Sequence, residues 1–117
     1  LIDNPDSITQ SWNEKKFSDM FEFYKDIFYS DFVRSQLNQE ELQTSQLYYV
    51  NGLTHILASL YKSELDKKYI DITNQVKQEL LKNSVSLSQM KNQPNKLKYI
   101  LFRLKVLKLA FSIQNIF

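Results

Sequence analysis

Apolar residues along this chain recur every three to four positions in four stretches, the period of a helix with one buried stripe. The first stretch covers about residues 13–32 and aligns Phe17, Met20, Phe21, Tyr24, Ile27 and Phe28. Two start signals compete for it. Ser11 with Glu14 makes a capping box, whereas Asn13 as the cap lets Trp12 and Phe17 close a hydrophobic staple. The second stretch spans about 39–61, with Asn38 as cap, Glu41 three residues on, and Leu42, Tyr49, Val50, Leu53, Leu57 and Leu60 on its stripe. Gly52 inside it costs roughly 1 kcal/mol relative to alanine, which points to a close helix crossing. The third runs over about 63–82 with Tyr69, Ile72, Val76 and Leu80 facing inward. After a polar stretch, Pro94 opens a fourth helix at its first turn and the pattern continues to about residue 115. The expected fold is all-α, a compact bundle of about four principal helices, because none of the four stripes is stable alone.

Projected at about 100° per residue, the fourth helix carries two apolar arcs rather than one. Leu97, Ile100, Leu101, Leu104, Leu107 and Phe111 make the first, which we expect to pack inward. Tyr99, Phe102, Val106, Leu109, Ala110, Ile113 and Phe117 make the second. Lys98 and Lys105 lie in one strip between the arcs, Lys96 and Arg103 in the other, and Lys108 interrupts the first arc. The second arc must bury against something. Either both arcs are core, this helix being the central member of the bundle, or one meets another subunit or a membrane surface.

Composition narrows the class. The chain has 117 residues, 43% hydrophobic and 24% charged, which is ordinary globular material for one domain. A single glycine and two prolines favour long helices over turn-rich sheets. No cysteine is present, so disulfides and thiolate metal sites are excluded, in keeping with a reducing compartment. Charge is split: through Glu79 there are 13 acids and 8 bases, net −5, and from Leu80 onward 7 bases and no acid, net +7. The basic end suggests a polyanionic partner. A membrane-spanning helix is disfavoured, since each of the cations between Lys96 and Lys108 costs about 2.5–3.5 kcal/mol at the centre of a spanning segment. Lying at an anionic interface instead gains roughly 1 kcal/mol per lysine or arginine. The residues expected to make that contact are Lys96, Lys98, Arg103 and Lys105, with Phe102, Val106, Leu109 and Ile113 inserting.

Candidate chemistry is sparse. His55 is the only histidine, too little for a multi-histidine metal site or a histidine relay, and it reads as a packed or half-exposed structural residue. One glycine cannot build a phosphate loop. Asp3 and Asp6 resemble a metal-binding pair only superficially, and Glu40, Glu41 and Asp66 read as helix-start charges complementing the dipole. The 16 aromatics could stack bases beside the basic end, but those of the first helix fall on its core stripe, and no nucleic-acid-binding signature accompanies them.

The opening run Asn4-Pro5-Asp6-Ser7-Ile8-Thr9 resembles the N-P-x-S-I-T segment that closes the catalytic domain of bacterial family-2 glycosyltransferases, the inverting enzymes of capsule and exopolysaccharide synthesis. The stretch 97–117 resembles, more loosely, the basic leucine-rich tails of these enzymes. Where the family usually has aromatics and an arginine, this chain has Leu1-Ile2-Asp3. The resemblance implies that residues 1–12 end an upstream catalytic domain or linker and that 13–117 form a helical C-terminal domain; opening on Leu1 fits a segment cut from a longer protein. Ser7, Ile8 and Thr9 would border the catalytic domain, although Pro5-Asp6-Ser7 is also a plain turn and helix-entry signal. The resemblance further implies sugar transfer from a nucleotide-activated donor to a glycan or lipid-linked acceptor at the cytoplasmic face of the membrane. The nucleotide-sugar and divalent metal would bind only the upstream domain; no catalytic residue, metal or cofactor is expected in this segment. Its partners would be that domain and an anionic inner membrane surface or another subunit. Two further classes stand beside it: a free-standing helical interaction module, and a small basic nucleic-acid-binding protein.

Overall fold

Asn13 is the cap of the first helix: its side chain accepts the Lys16 backbone N–H at 2.9 Å. The competing Ser11 and the Trp12 staple lie outside the described residues. A computed structural model describes the backbone of residues 13–105 and 107–114, and the side chains of 13–105 and 107–110. Six helices follow one another among them: α1 (Glu14–Tyr29), α2 (Asp31–Ser35), α3 (Gln39–Lys62), α4 (Ile70–Lys82), α5 (Lys96–Arg103) and α6 (Leu107–Gln114). No strand occurs among the described residues, and the fold is an all-α bundle.

α1 stops at Tyr29, three residues earlier than its apolar pattern suggests, because Ser30 turns extended and restarts the chain. The Ser30 hydroxyl accepts the Val33 N–H at 3.2 Å and so caps α2. α3 carries the capping box expected of Asn38 and Glu41, with both reciprocal hydrogen bonds present at 2.8 and 2.9 Å. From Tyr49 to Leu60 nearly every residue of α3 is buried, the mark of a helix surrounded by others. α3 packs against α1, α4, α5 and α6. The central place considered for the last helix therefore belongs to α3. At Gly52 the α3 backbone meets the Tyr24 ring of α1: a Cβ there would sit 2.8 Å from Cζ of Tyr24.

Two expected helices are shorter than their patterns, for one shared reason. α3 ends in a Schellman motif: Leu65 N–H donates to Leu60 C=O at 2.9 Å and Glu64 N–H to Tyr61 C=O at 3.1 Å. Glu64 takes the left-handed conformation there, φ 59°. The chain then turns through residues 66–69 and α4 begins only at Ile70. α5 stops in the same manner, with Lys105 at φ 64° donating its N–H to Phe102 C=O at 2.9 Å. The expected continuous fourth helix is thus two, α5 and α6. Pro94 is not its first turn either; it sits in the turn in which Lys96 N–H bonds Gln93 C=O, ahead of the Asn95 cap.

The core gathers Phe17, Phe21 and Phe28 of α1, the α3 face from Val50 to Leu60, Ile72, Val76 and Leu80 of α4, and Tyr99 and Leu107 from the C-terminal helices. The polar stretch between α4 and α5 contributes Val85 and Met90, both buried. Tyr99 pins that stretch: its phenol donates to Val85 C=O at 2.8 Å and accepts from Val85 N–H at 2.9 Å. Asn51 of α3 holds the start of α5, its Oδ1 accepting from both N and Nδ2 of Asn95 at 3.2 Å.

Candidate functional site: the cationic α5–α6 end

The orientation of α5 is the reverse of the expected one. Tyr99 is buried and Phe102 half-buried against the core, so the second arc faces inward. Leu97 and Leu104 of the first arc are 53% and 64% exposed. The reason is the Tyr99 phenol: buried, it satisfies both backbone groups of Val85 and so needs the inward position, which a leucine does not. Leu101 still packs on the core edge. Phe111 lies outside the described side chains.

The expected surface residues are therefore distributed as follows. Lys96, Arg103 and Lys105 are exposed and Lys98 is half-exposed, around the outward Leu97 and Leu104. Arg103 is also tied down, its Nη1 donating to the Tyr99 phenol at 3.1 Å and to Val85 C=O at 3.3 Å. Leu109 on α6 is exposed, whereas Phe102 faces inward. Val106 and the side chain of Ile113 lie outside the described residues, as do Ser7, Ile8 and Thr9, and Asp3 and Asp6.

Lys108 and Asp66 do something the pattern does not show. Asp66 is buried before α4 rather than in its first turn, and Lys108 of α6 reaches it at 2.8 Å. The pair fastens α6 to the α3–α4 connection. Asp66 also raises the pKa of the half-buried Tyr61, after burial itself. Glu40 and Glu41 do lie in the first turn of α3.

A second polar centre joins α1, α3 and α4. Glu79 Oε1 accepts from Tyr29 Oη and from Tyr49 Oη, each at 2.7 Å, and from Asn83 Nδ2 at 3.3 Å. Tyr49 is 2% exposed and stacks on Phe28 at 4.3 Å. Burial first, then the Glu79 hydrogen bond and charge, push its phenol far above its ordinary value near 10. One carboxylate oxygen accepting three donors is a fastening, not a free base. Its two tyrosines lie 50 and 30 residues from Glu79 in sequence, so no local pattern could bring them together.

His55 lies exposed on α3. Crowding by the surrounding protein, then the Lys98 ammonium, lower its pKa below the usual 6.5. No group of three or more His, Asp or Glu side chains among the described residues is arranged to hold a metal ion. No described helix is long and apolar enough to cross a membrane. Compared with protein-family models, with curated proteins and with solved structures, the chain matches none.

Proposed function

We propose that this chain is the non-catalytic helical C-terminal domain of a family-2 glycosyltransferase, and that its α5–α6 end docks the enzyme on an anionic membrane surface. The resemblance of residues 4–9 motivates the first half. The second half rests on one observation: Leu97 and Leu104 stand exposed in a stretch that also carries Lys96, Lys98 and Lys105, at an end of the sequence without acids. Leucines beside cations suit an interfacial helix, whose apolar side chains enter the acyl boundary while the cations meet lipid phosphates. The inserting residues are then Leu97, Leu104 and Leu109 rather than Phe102. The parent enzyme would work at the cytoplasmic face, where a lipid-linked acceptor is available, with nucleotide-sugar and metal held by the upstream domain.

Sedimentation with anionic and neutral vesicles tests the docking. Replacing Lys96, Lys98 and Lys105 with glutamine should weaken anionic-vesicle binding on the order of a hundredfold, at roughly 1 kcal/mol per lysine. Arg103 is left in place because it also holds Val85. Unchanged binding by the triple variant would refute docking. Sequencing upstream of Leu1 tests the rest: a nucleotide-sugar domain with a D-x-D motif is expected, and a different domain there refutes the glycosyltransferase reading.

A further inference from the structure

The break between α5 and α6 forms one side of a pocket of about 300 Å³, closed on its other sides by α3 and α4. Its walls are apolar where Tyr61, Leu81, Phe102 and Leu107 line it, and the remaining lining residues are all cations: Lys77, Arg103, Lys105 and Lys108. No carboxylate lines it. Asp66 compensates Lys108, which leaves three positive side chains, one each from α4, α5 and the residues just after α5, around one apolar hollow. Gathering like charges is unfavourable unless an anion joins them. The arrangement is also held in place. Arg103 is oriented by the Tyr99 phenol and the Val85 carbonyl. Lys105 reaches the rim from a left-handed backbone position that glycine occupies at less strain. Strain kept at a convergent cluster is a feature of binding sites.

We propose that this pocket binds an amphipathic anion, a single apolar chain ending in a phosphate or carboxylate. The chain would lie against Leu81, Phe102 and Leu107, and the head group would meet Lys77, Arg103 and Lys105. A volume near 300 Å³ is at the small end of ligand pockets, roughly 300–1,000 Å³, and suits one chain rather than two. Lys105 serves both this pocket and the docking proposed above, but Leu97 and Leu104 are not among the walls, so those two leucines separate the two sites.

Decyl phosphate, kept below its micelle concentration, is the probe, titrated into the isotopically labelled 117-residue chain while amide resonances are followed. Saturable one-site shifts at Leu81, Phe102 and Leu107 are expected, with inorganic phosphate and decanol each binding at least tenfold more weakly. Lys77→Gln with Lys105→Gly should weaken decyl phosphate at least tenfold. Glycine fits position 105, so this variant keeps its fold, and its unchanged spectrum elsewhere verifies that. Leu81→Glu, at a side chain 62% exposed, should abolish binding independently. Equal affinity in either variant, equal shifts with inorganic phosphate, or shifts centred on Leu97 and Leu104 would overturn the site. Anionic vesicles separate the two sources of ligand: Leu97→Ser with Leu104→Ser should lose vesicles yet keep free decyl phosphate. Binding to vesicles with none to the free amphiphile defeats the pocket and leaves docking standing.

Discussion

An alanine at position 52 would bring its methyl to 2.8 Å from Cζ and 2.9 Å from Cε1 of Tyr24. Alanine gains about 1 kcal/mol over glycine in a helix interior, so helical preference and crowding oppose each other at this one site. Gly52→Ala should lower stability by up to about 1 kcal/mol in the native background, yet raise it by about 1 kcal/mol beside Tyr24→Ala. Urea unfolding of all four proteins measures this; equal effects in both backgrounds would disprove the contact. The sequence points to a close helix crossing at Gly52; what stands there is the Tyr24 ring of α1 against the α3 backbone. Tyr49 was read only as core, and its hydroxyl partner Glu79 not at all, since pairing 30 residues apart leaves no local trace. Its consequence is measurable in alkali. The folded phenol holds its proton above pH 10 while the unfolded one releases it. Stability is then full below pH 10 and falls above it. Tyr49→Phe should reduce that slope by up to roughly 1.4 kcal/mol per pH unit, leaving a smaller slope from Tyr61, whose pKa is also raised. A slope unchanged by the substitution would contradict the raised pKa.

Helix starts and helix stops were not equally legible. Asn13 and Asn38 announce their helices by side-chain chemistry that any sequence displays; Asn38 caps as expected, and of the two signals competing for the first helix Asn13 is the cap. The stops after α3 and α5 use a left-handed residue, normally betrayed by glycine or asparagine. Here the residues are Glu64 and Lys105, and the only glycine stands inside α3 against the Tyr24 ring. Apolar periodicity ran straight through both positions, which is why α4 starts seven residues later than read and the last helix divides. Tertiary gain outweighs local strain: a left-handed residue costs roughly 1–2 kcal/mol, whereas burying Leu107 alone gains about 1.5–3 kcal/mol. Glu64→Gly should consequently raise stability by roughly 0.5–1 kcal/mol. Gln78→Gly, at an exposed interior position of α4, should lower it by about 1 kcal/mol. Thermal denaturation of the two variants decides, and loss of stability in both would mean Glu64 is unstrained.

At the scale of the whole molecule, four amphipathic patterns were enough to foresee an all-helical bundle, but not which helix lies at its middle. That depended on how much of α3 is apolar around its circumference compared with a last helix divided by lysines. The apolar pattern does not fix the inward face of α5 for a related reason: both arcs are apolar, and the choice between them falls to one phenol hydrogen-bonding a loop 14 residues earlier. The surface thereby left outside, Leu97 and Leu104, is the one the proposed docking would use. α6 touches only α3 and α5 extensively, whereas α3 is covered by four helices. Under native conditions the amides of α3 between Val50 and Leu57 should exchange with deuterium only through global opening, with a steep dependence on urea. Those of α6 should exchange through local detachment that urea hardly affects. Identical urea dependence in the two helices would show one cooperative unit. If they differ, the end proposed to dock could let go and rebind many times within the lifetime of a single folded state, and the proposed attachment would be a reversible latch on a permanent scaffold.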